Sequence, residues 1–549
     1  MFKKVIKYFF ISLAFLCIIY YFYLLLKYTL NIPFWDDYLT LDFLAHFVKT
    51  ASISEKISLL LSQEEEHRLV FRRLLYLLSY WISGEVNFKY LCYAGNLFLF
   101  GIVIFLAWTF LNKHFEFIYF VPVIFIIFSG QHYATSFWTE SSIVYYSSNY
   151  FIIISLYCIS KNSIKYFIVS IILAVFAVFS YGNGFVVFLI GILLLIYQKR
   201  YQQLAIYCVI LLLVSGIYFY EYKTPVSSNN LIENFNLSAF IKTLLSFIGG
   251  ISPYYSISIM FGLLGFGFIF YLTYKQYYKK NLFIYSILLY LLITGIIVAI
   301  NRPLGNVMRY KFYHSLFLVF FYFAIIDIID KKWLKLFSYI SIYVFFIYMM
   351  FFNELLFFEV RIINENELVS LENWNRENSL MGFRNYNSVY GKALKYDLYT
   401  PPQIRKELLF SKKLNMDYLK LNNKVIYTID TLVNTDSSLF VRGTAFIKLD
   451  RKKYNNNVYI VLLSSNHKFS YLAKIEFRPD LLKTISDMTP MYSGFDVWIN
   501  TNDLPKGTYK IGLYLNQKYR NTFFQYVLSK IDYTFAIESF TLTDKTINL

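Results

Sequence analysis

Over its first two thirds the chain alternates long apolar runs with short polar gaps. Runs able to span a bilayer lie at roughly 8–30, 88–112, 115–130, 141–160, 164–181, 184–198, 203–220, 254–274, 281–300, 311–329 and 334–352. A hydrocarbon core of ~30 Å asks for about 20 apolar residues in a helix. Several runs are shorter, so their ends are soft by a few residues. The pattern predicts a polytopic α-helical membrane protein with eleven spanning helices over residues 1–352.

Two apolar stretches are left out of that set. "LVFRRLLYLLSYWISG", residues 69–84, is interrupted by Arg72 and Arg73. Counted as a span, it would move every later loop to the other side of the membrane. It reads instead as an interfacial amphipathic helix, as does "LSAFIKTLLSFI" at 237–248.

The pattern changes after residue 352. Residues 353–423 are charged and mixed, and predict helical connecting segments. From 424 to 549 the period shortens to that of strands: "KVIYTID", "SLFVRGTAFI", "NVYIVLLSS", "SGFDVWIN", "TYKIGLYL" and "YTFAIESFTL". Turn signals separate them, including "NTDSS", "RKKYNNN" and "LPKG". About six strands in this length predict a small antiparallel β-sandwich as the C-terminal domain.

Charge orients the spans. Lys3, Lys4 and Lys7 precede the first run, and no small-residue cleavage site follows before Asn31. This predicts an uncleaved anchor with a cytoplasmic N-terminus. With eleven spans, the cytoplasmic gaps hold Lys113, Lys161, Lys165, Lys199, Arg200, Lys275, Lys279, Lys280, Lys331, Lys332 and Lys335. The outer turns 131–142 and 182–184 hold no Lys or Arg. That alternation follows the positive-inside rule and places the C-terminal domain outside the cytoplasm.

Composition agrees. The 549 residues are 57% hydrophobic and 21% aromatic, with a mean hydropathy of +0.47. The net charge of +18 sits in the gaps rather than on a basic helix or stacking motif, which argues against nucleic acid as a partner. Cys17, Cys92, Cys158 and Cys208 all lie in apolar runs without metal or disulfide spacing.

Polar residues beside a bilayer are costly, so their positions carry information. Five patches fall on the predicted outer face: "NIPFWDDYLT" (31–40), "EEEHRLVFRR" (64–73), "SGQHYATSFWTESS" (129–142), "YGNGF" (181–185) and "NRPLGNVMRY" (301–310). Each has a plain structural reading. Asp36 and Asp37 suit a helix N-terminus. The glutamates suit a solvated loop, Gly182-Asn183-Gly184 a tight turn, and Arg302 and Arg309 headgroup anchors. Together they also supply the groups for sugar transfer from a lipid phosphate. Asp36 and Asp37 offer a carboxylate base, and each raises the other's pKa. Arg302, Arg309, His67 and Arg68 offer donors for a departing phosphate. Trp35, Trp138 and Tyr310 offer faces for a sugar or a place in the interfacial belt. Glu64 and His67 have i,i+3 spacing but no further His or Cys joins them, so no metal set is predicted and a divalent metal stays an open alternative.

In these features the chain resembles the GT-C superfamily of integral-membrane glycosyltransferases. "PFWDD" at 33–37 is similar to the acidic motif of their first outer loop. It resembles more narrowly a group of bacterial membrane proteins sharing an ordered set. Here that set is Asp36, Glu66-His67-Arg68, Phe137-Trp138, Asn183-Gly184 and Arg309-Tyr310, within residues 1 to 330. The resemblance implies an inverting transferase in the bacterial inner membrane. Its donor would be a polyprenyl-phosphate-linked sugar, and its acceptor an envelope glycan such as O-antigen or another lipopolysaccharide or surface polysaccharide. It implies Asp36 as base with Asp37 beside it, and Glu66, Trp35, His132, Trp138, Glu140, Asn183 and Tyr310 around the substrates; the residues themselves predict no cofactor, with a divalent metal as the alternative. The rival readings are a flippase for lipid-linked sugars and a polysaccharide polymerase.

Overall fold

The computed structural model describes residues 2–113, 115–224, 235–252, 255–302, 308–377, 387–402, 425–435, 438–447, 455–476, 493–502, 504–518 and 536–549. Among them, nine helices are long and apolar enough to cross a membrane. These are Val5–Tyr28, Phe88–Leu111, Phe117–Ser136, Thr139–Ile159, Tyr201–Phe219, Tyr255–Tyr274, Leu282–Asn301, Lys311–Ile328 and Lys331–Asn353. That is the pattern of a multi-pass membrane protein. The other two expected spans are the shorter helices Ile164–Ser180 and Phe185–Tyr197. The chain divides into two compact units, Met1–Val360 with Lys392–Thr400, and Arg361–Gly391 with Pro401–Leu549.

In the first unit, residues between the first two long helices fold into three helices, Asp37–Lys49, Ile53–Leu61 and Val70–Ser83. Ser52 caps the second of these by accepting from the Glu55 N–H at 3.4 Å, as an N-cap serine does. The third carries the interrupting arginines. Arg72, Arg73, Tyr76 and Leu77 face inward, while Leu74, Leu78, Trp81 and Ile82 are exposed on the opposite side. The helix thus has a polar, paired inner face and an open apolar outer face.

The helix Leu237–Ile248, expected at the interface, is wedged between Tyr255–Tyr274 and Leu282–Asn301. A Cβ on Gly262 would lie 2.0 Å from the Leu245 carbonyl oxygen, so the close approach depends on glycine. Irregular backbone follows this helix, and its Gly250 carbonyl is bonded within the protein. The Gly250 carbonyl accepts from Gln131 Nε2 at 2.6 Å and Lys311 Nζ at 3.2 Å, and lies 2.9 Å from His314 Nδ1.

Gaps expected on the cytoplasmic side meet at one end of this unit. Lys7 pairs with Glu116 at 2.5 Å. Asp327 pairs with Lys113 at 3.1 Å, accepts from the Tyr277 hydroxyl at 2.8 Å and also contacts Asn281.

The last long helix does not stop where the composition changes at 353. It runs unbroken from Lys331 to Glu377. Asn387–Lys395 is also helical.

The second unit contains eight strands among the described residues. They are β1 (Val425–Asn434), β2 (Ser438–Ile447), β3 (Asn455–Leu463), β4 (Lys468–Leu472), β5 (Lys474–Glu476), β6 (Gly494–Asn500), β7 (Thr508–Lys518) and β8 (Ala536–Asn548). They form two antiparallel four-stranded sheets, β1-β2-β6-β5 and β4-β3-β7-β8. Alternate residues of both sheets share one core: Leu439, Val441, Val497 and Ile499 from the first, Val458, Ile460, Ile511 and Leu513 from the second. This is the sandwich that the alternation predicted.

Candidate functional site

Described residues from all five polar patches converge in space. The turn at 34–37 sets the geometry. Trp35 adopts a left-handed conformation with φ 49°, which costs a non-glycine residue on the order of 1–3 kcal/mol and persists only where neighbours enforce it. They do so here. Asp37 N–H donates to the Phe34 carbonyl at 3.0 Å, and Phe34 N–H donates back to Asp37 Oδ2 at 2.9 Å. Trp138 Nε1 donates to the same Phe34 carbonyl at 3.1 Å, and its ring lies 6.3 Å from that of Trp35.

The two adjacent acids therefore point differently. Asp37 is fully buried. Its Oδ1 accepts from the Tyr76 hydroxyl at 2.8 Å and the Glu140 N–H at 3.0 Å. Burial pushes its carboxyl up to about 7, against the pull of these donors and of the Arg72 charge. Asp36 is 23% exposed, and its Oδ2 lies 3.9 Å from Arg309 Nη1. It occupies the N-cap position without a side-chain capping bond.

Behind the acids lies a buried ionic network that the sequence did not announce. Arg72, with no exposure, pairs with both Glu64 and Glu140, and Arg73 reaches Glu64 at 3.3 Å. These pairs tie the 64–73 segment to the 138–140 turn. Burial opposes ionisation of Glu64, but the two guanidiniums outweigh it and hold its carboxyl below the usual range. Lys311, His314 and Gln131 were missed as well. Their main partner is a backbone carbonyl, which no sequence pattern reveals.

Facing the acids are the cations Arg302 and Arg309, with the His67 imidazole beside them. His67 closes a tight turn, its N–H donating to the Glu64 carbonyl at 2.9 Å with Glu65 at φ 50°. Its ring lies 4.4 Å from the Tyr181 ring. A Cβ on Gly182 would meet His67 Nδ1 and the Tyr218 hydroxyl at 2.9 Å each, so this glycine admits the imidazole. Burial first, then the charges of Arg302 and Arg309, push the His67 pKa down to about 4, so the ring is neutral at pH 7. His67 Nδ1 and Arg309 Nε are both buried without a hydrogen-bond partner among the described residues. Arg302 ends the helix Leu282–Asn301, its N–H donating to the Val298 carbonyl at 2.8 Å. Pro303 and Gly305, two helix breakers that follow it, lie outside the described residues. Arg309 is held by its carbonyl, which accepts from Thr135 Oγ1 at 3.0 Å. Its guanidinium lies 5.9 Å from the Tyr310 ring centroid.

The remaining predicted residues divide. Arg68 donates to the carbonyls of Leu61, Tyr218 and Tyr220, so its guanidinium clasps helix ends. Glu66 contributes its carbonyl, which accepts from the Tyr218 and Tyr222 hydroxyls at 3.4 Å each. His132 is fully buried, with Nδ1 2.8 Å from the Tyr146 hydroxyl and Nε2 2.8 Å from the Ile127 carbonyl. Asn183 turns inward, donating to Tyr290 Oη at 3.1 Å and Thr294 Oγ1 at 3.0 Å. Tyr310 is buried, with its ring 6.2 Å from that of Tyr145. Trp35, Asp36, Trp138, Arg302 and Arg309 keep some exposure at the site.

Among the described residues no group of three or more His, Cys, Asp or Glu side chains is placed to hold a metal ion. No protein-family model matches the chain, and neither a curated protein nor a solved structure matches it.

Proposed function

We propose that the protein is a GT-C-like, inverting glycosyltransferase of a bacterial inner membrane. It takes a sugar from a polyprenyl-phosphate-sugar and passes it to an envelope glycan, such as O-antigen or another surface polysaccharide. The observation that carries this reading is one juxtaposition. A partly exposed carboxylate, Asp36, stands against Arg309. Beside them two buried nitrogen atoms, His67 Nδ1 and Arg309 Nε, lack partners. A buried polar nitrogen without a partner is expensive; a phosphate oxygen accepts from Arg309 Nε–H, and from His67 Nδ1 in the tautomer that carries its proton there.

In the proposed reaction the acceptor hydroxyl oxygen attacks the anomeric carbon of the donor sugar. The bond from that carbon to the phosphate oxygen breaks, and polyprenyl phosphate leaves with the electron pair. The hydroxyl proton passes to Asp36. Arg309, Arg302 and His67 stabilise charge growing on the phosphate. In the unliganded pair Arg309 also faces Asp36, so an arriving phosphate competes with this carboxylate for the guanidinium. Trp35 and Trp138 offer an aromatic edge beside the acid for a sugar ring.

The orientation belongs to the same proposal: eleven spans, a cytoplasmic N-terminus, and the site and sandwich outside. It is supported by the meeting of Lys7, Lys113, Tyr277 and Asp327 partners at one end and of the five polar patches at the site.

The test uses the full chain in nanodiscs with short-chain polyprenyl-phosphate-hexoses and purified envelope glycans. Release of polyprenyl phosphate with sugar gained by the glycan is expected. Movement of the donor between leaflets of proteoliposomes without its cleavage would overturn transfer and favour the flippase.

A further inference from the structure

The adjacency of Asp36 and Asp37 conceals a division of labour. Asp37 has no exposure. A carboxylate can accept about four hydrogen bonds, and three donors already converge on this one: Phe34 N–H at 2.9 Å, Tyr76 Oη at 2.8 Å and Glu140 N–H at 3.0 Å. Those donors come from three separate segments. They join the first outer turn to the interfacial helix and to the 138–140 turn. The Glu140 side chain is in turn held by Arg72. The left-handed Trp35 lies inside the ring that the Phe34–Asp37 bonds close.

We infer that Asp37 is a positioning residue: its carboxylate staples the 34–37 turn to Tyr76 and Glu140, and so fixes the direction of Asp36 and of the Trp35 indole. This rests on the transferase reading for its catalytic consequence, but the staple itself does not. A buried carboxylate with three donors is poorly placed to take a proton from a substrate hydroxyl. It is well placed to hold backbone in a conformation that a tryptophan disfavours.

Asp37→Asn separates the roles. An amide keeps one acceptor oxygen and puts an NH2 group opposite a donor, so at least one of the three bonds is lost. A base displaced by about 1 Å loses up to roughly 10²-fold in rate. The expected result is kcat lowered about 10- to 100-fold, with donor KM near wild type. The acid limb of the pH–rate profile is retained, because Asp36 still supplies the base. Asp36→Asn should lower transfer by roughly 10²-fold or more and take the acid limb with it.

Hydrogen–deuterium exchange on the full chain in nanodiscs reads the staple without reference to activity. Peptides covering 31–40 and 137–145 contain the Phe34 and Glu140 amides. Their exchange should quicken in Asp37→Asn and stay at the wild-type rate in Asp36→Asn. Tyr76→Phe removes one donor and should give a smaller change of the same sign. Unchanged exchange in both Asp37→Asn and Tyr76→Phe would overturn the staple. If Asp37→Asn does not fold, unchanged exchange in Tyr76→Phe alone would do so. Loss of the acid limb in Asp37→Asn with its retention in Asp36→Asn would make Asp37 the base. If wild-type protein transfers no sugar, the transferase reading fails while the exchange result still decides the staple.

Discussion

Asp36 and Arg309 face each other 3.9 Å apart, although one follows the first long helix and the other precedes Lys311–Ile328. The distance is too long for a hydrogen bond, and both side chains keep about a quarter of their surface open. A loose, accessible pair of opposite charge is one that a substrate can separate.

Asp36→Asn keeps the size of the side chain and removes its ability to take a proton. Transfer should fall by roughly 10²-fold or more, with expression and melting temperature unchanged. Wild-type turnover in purified Asp36→Asn would remove it as base.

Arg309 should matter for rate more than for folding, because a guanidinium fork stabilises charge that grows only as the phosphate departs. Arg309→Lys keeps the charge without the fork. It should lose much of the activity at saturating donor, and Arg309→Ala more. Both should melt near wild type in a thermal-shift assay. Full activity with early melting would make Arg309 a headgroup anchor.

Arg72 should behave in the opposite way. Removing one partner from a buried ion pair strands the other charge, at a typical cost of about 3–5 kcal/mol. Arg72→Ala leaves Glu140 buried without its cation, while Glu64 keeps Arg73. The expected result is a large loss of thermal stability. Lys7→Ala breaks the exposed pair with Glu116 and should shift the melt little.

Burial pushes the His67 pKa in the folded chain down to about 4, below the ordinary imidazole value of 6.5. The unfolded chain therefore takes up a proton first as pH falls. This contribution to stability is complete above about 6.5 and is lost as pH drops towards about 4. Asp37, raised from 3.8 to about 7, acts with the opposite sign: its contribution is present at low pH and is lost as pH rises through that interval. Melting curves taken between pH 4 and 6.5 should show that His67→Gln is less acid-sensitive than wild type. Equal slopes in the two proteins would mean that the ring does not stay neutral when folded.

The orientation has its own test. A cysteine in place of Asn456, in β3, should react with an impermeant thiol reagent in intact spheroplasts. Labelling only after lysis would refute an external sandwich and with it the count of eleven spans.

Much of this architecture is legible in the chain because its signals are local. Apolar runs locate the long helices to within a few residues, and β2 coincides with "SLFVRGTAFI". The strands β4 and β5 escape because they are short and broken at Ala473, too brief for an alternating pattern. The helix through residue 353 escapes for another reason. Composition changes there, but no Pro or Gly interrupts residues 331–377, so the helix continues. At the site, the residue types were readable and their partners were not. Arg72 and Arg73 read as interruptions of an apolar helix. Their pairing with Glu64 and Glu140 depends on a fold that brings residue 140 beside residue 72. Arg68 resembles a phosphate ligand until its donors are seen to end on three carbonyls. Carbonyl partners belong to the backbone and leave no mark in sequence.

Trp35 gives the turn its shape against the preference of its own backbone. Glycine adopts φ near +50° at no steric cost, whereas a tryptophan does so against its preference. A glycine there would relieve the backbone, so the chain carries this indole at a cost in stability. Trp35→Gly should accordingly fold at least as readily as wild type while working less well, the usual mark of a site where stability and activity pull apart.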